Sequence, residues 1–61
     1  MSVDLKEDLI YQHLLKNGEM SFAQLHEVFS GIDESELDDL LFELAYNGKV
    51  YQSRPDFYKA V

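Results

Sequence analysis

The sequence contains no cysteine, so it can form neither a disulfide framework nor a thiolate metal site. This absence fits a reducing compartment. The sequence also lacks an apolar run of the roughly 20 residues that a membrane span requires, and residues 1–8 contain no apolar signal-peptide core. From these absences we expect an intracellular protein, either cytoplasmic (nucleoid-associated) or nuclear, that makes no membrane contact.

Positive charge is scarce in this chain. The 61 residues include five Lys and Arg against twelve Asp and Glu, and the formal net charge is −7. Such a balance disfavours nonspecific binding to nucleic acid. The apolar content of 46% is too high for a disordered segment, and the length indicates one domain over residues 1–61. We expect this domain to be monomeric when isolated.

Sequence motifs that carry chemistry are also absent. There is no glycine-rich phosphate loop, no nucleophile motif and no zinc-ligand spacing. Asp38, Asp39 and Glu43 are close in sequence, but paired carboxylates do chemistry only where a pocket desolvates one of them. A domain of this size has little room for such a pocket. We therefore expect no catalytic residue, no metal ion and no cofactor, and we interpret the chain as a protein that is not an enzyme.

Two helices are predicted in the first half of the chain. The first covers residues 4–16, and Gly18 shortly after it is the expected C-terminal stop. The second covers residues 22–29 or 22–30, begins at a capping box formed by Ser21 and Gln24, and is stopped by Gly31. A brief edge strand at residues 19–21 is an open alternative to a loop. The apolar residues of the first helix recur at helical spacing: Leu5, Leu9, Ile10, Leu14 and Leu15.

A third helix is predicted over residues 34–47, with Gly48 as its stop. Asp33 is the expected N-cap, Glu36 completes a capping box, and Ile32 precedes the cap as a hydrophobic staple. The buried stripe of this helix is expected to consist of four leucines: Leu37, Leu40, Leu41 and Leu44.

The last thirteen residues change to a β pattern. Residues 49–53 and 57–61 are rich in β-forming side chains, and Arg54, Pro55 and Asp56 between them predict a hairpin tip. The expected fold is therefore α+β and mostly helical: three helices followed by a C-terminal β-hairpin. This is the winged helix-turn-helix arrangement, in which the hairpin covers the core that three short helices leave open.

The third helix is the element that would carry the recognition surface of a small helix-turn-helix protein. It contains no Lys or Arg, and a groove lined by phosphates repels an acidic helix. The acids in and just before it are Asp33, Glu34, Glu36, Asp38, Asp39 and Glu43.

Two aromatic residues are candidates for partner binding. Phe42 and Tyr46 are four residues apart, so they neighbour each other on a helix, and they share the outer face with Asp38 and Asp39. One interpretation is that the rings pack beneath the hairpin or against the second helix. The other is an aromatic patch rimmed by acids, which is typical of a protein-binding surface.

Three of the five basic residues lie in the hairpin: Lys49, Arg54 and Lys59. A wing with Arg54 at its tip is a candidate for contact with nucleic-acid phosphate. The alternative is an edge strand that charge protects against strand addition. One to three phosphate contacts would give only weak and strongly salt-sensitive binding.

The sequence of residues 47–61, Asn-Gly-Lys-Val-Tyr-Gln-Ser-Arg-Pro-Asp-Phe-Tyr-Lys-Ala-Val, resembles the end of the C-terminal winged helix of minichromosome maintenance (MCM) replicative helicases, especially archaeal ones. In that family a helix ends in glycine, a β-branched residue and Tyr follow, and a basic-Pro wing tip precedes an aromatic strand. Residues 32–37 and 41–44 fit the same template.

This resemblance implies a regulatory domain appended to a helicase whose motor lies outside this chain. Such a domain modulates helicase activity and engages a protein partner, which is the rest of the ring or a replication factor. It is not a sequence-specific DNA reader. The chain is also similar to the acidic C-terminal winged helix of the middle subunit of replication protein A, which recruits repair and replication proteins. A small DNA-binding transcriptional regulator is a further alternative.

Overall fold

The structure is a computed structural model that describes the backbone of residues 2–61 and the side chains of residues 5–61. The elements follow in the order α1 (Ser2–Asn17), β1 (Met20–Ser21), α2 (Phe22–Val28), α3 (Glu34–Tyr46), β2 (Val50–Arg54) and β3 (Phe57–Ala60). The fold is mostly helical α+β with a winged-helix arrangement, which confirms the predicted class. Within the described part of the chain, no helix is both long enough and apolar enough to cross a membrane.

The hairpin predicted at the C-terminus is part of a three-stranded antiparallel sheet. Its strand order is β1-β3-β2, because the short strand β1 pairs with β3 on the side opposite β2. The register places Met20 opposite Tyr58 and Val50 opposite Ala60. The brief strand that the sequence left open therefore forms, and β3 becomes the centre of the sheet rather than an edge.

A single apolar cluster joins the three helices to the sheet. Phe29, Tyr58 and Ala60 pack against it and are partly buried. The leucine stripe predicted for α3 is confirmed, and α3 supplies more of the cluster than any other element. Its buried members are Ile10, Leu14, Leu25, Ile32, Leu37, Leu40, Leu41, Leu44 and Val50.

Helix α1 buries only part of its apolar residues. Ile10 and Leu14 are buried, whereas Leu5, Leu9 and Leu15 are exposed. The apolar residues spread around more than half of the helix circumference, and α3 with the sheet covers one side of it. Lys6 lies one turn before Ile10 on that covered side, where its Nζ is 2.6 Å from Oε2 of a glutamate in α3. The helical spacing of these five residues predicts the helix, but three of them do not reach the core.

The helix starts differ from one another. At α2 the predicted capping box is confirmed: the Gln24 amide donates to Ser21 Oγ at 3.1 Å, and the Ser21 amide donates to Gln24 Oε1 at 3.0 Å. At α3 the N-cap is Asp33 as predicted, but its side chain accepts no capping hydrogen bond. The capping box predicted there is wrong, since Glu36 pairs with Lys6 of α1.

Glycine ends α3 but does not end α2. Gly48 has φ +74°, and the Lys49 amide donates to the Leu44 carbonyl at 2.9 Å, which is a Schellman ending. Helix α2 ends at Val28, before Gly31, whose φ is not positive. The predicted glycine stop of α2 is therefore wrong, and the chain turns there so that Ile32 can enter the core.

Candidate protein-binding surface on the third helix

The outer face of α3 carries two exposed aromatic rings. Phe42 is 67% and Tyr46 80% exposed. Their ring centroids are 6.5 Å apart and their planes differ by 24°, so the rings stack on each other. The interpretation that they pack beneath the hairpin or against α2 is excluded by this exposure. The four buried leucines take the core side of α3, and the helical period leaves the aromatics on the solvent side.

Acidic side chains lie on the N-terminal side of these rings. Asp38 and Asp39 are exposed and lie one turn before Phe42, and Tyr46 lies one turn after it. We call these four residues the acid–aromatic surface. The exposed carboxylate of Glu43 adds to the negative charge at its side, and α3 contains no Lys or Arg.

The negative field of this helix extends to the sheet. The pKa of Tyr58 on β3 is raised, first by burial of its hydroxyl and then by the charges of Asp38 and Asp56. Asp38 is thus near enough to disfavour a second negative charge on the sheet. Lys6 of α1 forms an ion pair with Glu36 in the first turn of this helix rather than with the acid–aromatic surface.

The wing arginine is engaged within the molecule. Nε and one terminal nitrogen of Arg54 lie 3.2 Å from the two carboxylate oxygens of Glu19, and the guanidinium lies 4.2 Å from the centroid of the Phe57 ring. The Ser53 hydroxyl donates to the same carboxylate. The Ser53 hydrogen bond and then the Arg54 guanidinium hold the pKa of Glu19 below its usual range.

The three wing cations do not form one patch. Lys49 is at the base of the hairpin, with Nζ 5.8 Å from the Tyr11 ring centroid, whereas Arg54 is at the tip. The five residue steps from Lys49 to Arg54 along an extended strand correspond to about 16 Å. Lys59 lies between these ends on β3, opposite Tyr51. The hairpin therefore offers separate single charges to a polyanion.

Sequence reasoning missed Glu19 as a partner of the wing. Glu19 and Arg54 are 35 residues apart, and they meet only because β1 pairs with β3. The sole signal was that Glu19 is the first residue of the segment, residues 19–21, where a brief edge strand was considered.

Comparison with known proteins does not assign this chain to a family. It matches no protein-family model, no curated protein and no solved structure. Its function has to be inferred from the surfaces that the fold presents.

Proposed function

We propose that this chain is a non-catalytic winged-helix module of the DNA replication machinery, which modulates a replicative helicase through protein contacts. The acid–aromatic surface makes those contacts. The observation that carries the proposal is the stacked pair Phe42 and Tyr46, which is exposed on the outer face of a helix that contains no Lys or Arg. Aromatic residues are enriched among those that contribute most to protein–protein binding.

The electrostatics of α3 argue against DNA reading by this helix. Binding to duplex DNA draws most of its affinity from cations placed against phosphates, and α3 presents only acids. The wing adds little, because Arg54 is already paired with Glu19. Exposed Lys49 and Lys59 permit at most a weak and salt-sensitive contact with DNA.

The assignment to replication rests on the resemblance of residues 47–61 to the MCM winged helix, together with the winged-helix arrangement of the structure. In this reading the protein acts beside the replicating chromosome, in the nucleoid or the nucleus. The same surface also supports recruitment of replication or repair proteins, as in the similar domain of replication protein A. A small transcriptional regulator is disfavoured, since it would have to bind DNA through its wings alone.

Site-specific photocross-linking in the native host tests the proposal. A benzophenone amino acid replaces Phe42 or Tyr46 in separate experiments, and exposed Tyr51 on the wing serves as the matched control position. We expect a helicase subunit or a replication factor to be cross-linked from positions 42 and 46 and not from position 51. A cross-link to DNA from positions 42 and 46, or no product from either, contradicts the proposal.

A double variant separates binding from folding. Phe42→Ala with Tyr46→Ala removes the stacked pair without touching the core, so the variant should fold while losing the partner found by cross-linking. Partner affinity equal to that of the wild type would remove the acid–aromatic surface as the binding site. Arg54→Ala is the companion variant for the wing, and it should leave partner affinity unchanged.

A further inference from the structure

The outward face of α1 is apolar and has no partner within the described residues. Leu9 is 53% and Leu15 49% exposed, and Leu5 near the start of the helix is more exposed still. Leu9 and Leu15 also line a groove of about 460 Å³ between α1 and α2, together with Val28 and Phe29. Exposed apolar side chains that line a groove are typical of a binding site.

Four residues of this face are arranged symmetrically about Gln12, and Leu5 has no counterpart in this arrangement. Asp8 and Leu9 precede Gln12 by four and three residues, and Leu15 and Lys16 follow it by three and four. At about 100° per residue, the two leucines lie about 60° to either side of Gln12, and the charged residues about 40° to either side. These five positions therefore show the same residue types in both directions along the helix, except that the acid Asp8 is matched by the base Lys16.

This arrangement fits a second copy of the same helix running in the opposite direction. We propose that two copies of the chain associate through α1, antiparallel, about a twofold axis at Gln12. Leu9 of each copy then lies level with Leu15 of the other, and Asp8 of each copy lies level with Lys16 of the other. Such an isologous contact makes every pairing twice.

The charges of Asp8 and Lys16 favour a second copy of this chain over a different protein as the partner of α1. Asp8 and Lys16 are exposed, and neither takes part in an ion pair within residues 5–61. An antiparallel copy neutralises both at once, whereas a uniformly acidic or basic partner would oppose one of them. The acid–aromatic surface lacks this property, because any symmetric pairing of α3 places acid against acid.

The area of the contact sets its strength. Helix α1 has 16 residues, which corresponds to a length of about 24 Å. The surface area that one face of such a helix can bury is smaller than the roughly 800 Å² per partner that stable complexes bury. In addition, the net charge of −7 on each copy opposes association. We therefore expect the chain to be monomeric when dilute and to pair where copies are concentrated or held close together.

Sedimentation equilibrium with charge-reversal variants tests this inference. The wild type should self-associate at high concentration, and Asp8→Lys alone or Lys16→Asp alone should weaken association about tenfold. The double variant Asp8→Lys with Lys16→Asp should recover it, and so should an equimolar mixture of the two single variants. Glu34→Lys on α3 is the matched control, since it changes the net charge as Asp8→Lys does and should not weaken pairing.

The variant Asp8→Lys distinguishes the proposed pairing from general charge repulsion, because the two predict effects of opposite sign for it. Asp8→Lys lowers the net negative charge, so nonspecific repulsion would decrease and association would strengthen. Circular dichroism checks that each variant is folded, which these exposed positions should permit. A single species of 7.1 kDa for the wild type at every concentration overturns the proposal. So does a double variant that associates no better than the single ones.

Discussion

The outward faces of α1 and α3 both point away from the core, yet they differ in charge pattern. The face of α1 combines leucines with one acid and one base placed symmetrically, so it complements itself. The face of α3 combines stacked aromatic rings with acids alone, so it repels both phosphate and another copy. The comparison teaches that exposure marks a surface as available, whereas the arrangement of charge selects what binds there.

The largest expected effect is a loss of stability on substitution of core residues on the inner faces of α1 and α3, compared with substitution on their outer faces. Leu14→Ala and Leu41→Ala empty core positions, and each should lower the free energy of unfolding by ~2–5 kcal/mol. Their sequence neighbours Leu15 and Phe42 are exposed, and changing either to alanine should alter stability by less than ~0.5 kcal/mol. Urea unfolding measures all four variants. A Phe42→Ala variant as unstable as Leu41→Ala would mean that the aromatic ring is packed.

A smaller effect is expected at the residue that ends α3. Gly48 has φ +74°, a conformation that costs a side-chain-bearing residue about 1 kcal/mol, so Gly48→Ala should destabilise by about that amount. Gly31→Ala is the matched control, because its φ is not positive and a Cβ there meets nothing within 4 Å. Equal thermal midpoints for the two variants would argue against the left-handed ending.

The ion pair that joins the two compared helices should contribute less. Lys6 and Glu36 are each more than one-third exposed, and such pairs are worth at most ~1 kcal/mol. Lys6→Met keeps the aliphatic stem and should lower stability by no more than that. A double-mutant cycle with Glu36→Gln measures the coupling between the two side chains. A coupling well above that limit would show that the pair clamps α1 onto α3.

The smallest effect concerns the wing and depends on pH. The folded-state pKa of Glu19 is depressed by Ser53 and Arg54, so its stabilising contribution is present above the unfolded value near 4.5 and is lost as pH falls through the folded value. Glu19→Gln should therefore flatten the acid limb of the stability curve while leaving its shape above pH 6 unchanged. An identical acid limb for wild type and variant would refute the Glu19–Arg54 contact in solution.

Much of the fold follows from local patterns in the sequence. The leucine stripe of α3, the capping box at Ser21 and the hairpin around Pro55 each depend on residues within a few positions of one another. These local patterns predict the structure correctly, because the local preferences and the tertiary packing agree at these positions.

What the sequence does not reveal depends on distant parts of the chain. Apolar residues surround more than half of α1, and only the positions of α3 and the sheet decide that Ile10 is buried while Leu9 is exposed. Glu36 does not form the expected capping box, because its carboxylate pairs with Lys6, which is 30 residues away in sequence but adjacent in space. At the candidate site, the sequence predicts that Phe42 and Tyr46 neighbour each other. Whether the hairpin covers them is decided by the path of the sheet.

The most direct test of the protein-binding assignment is a titration of the isotope-labelled chain with duplex DNA, followed by amide chemical shifts at low and then near-physiological salt. The account predicts no shift across Glu34–Tyr46 and at most small shifts in the hairpin, which salt should abolish. Saturable shifts across Glu34–Tyr46 that persist at near-physiological salt would contradict it, because they would show that α3 reads DNA despite its acids.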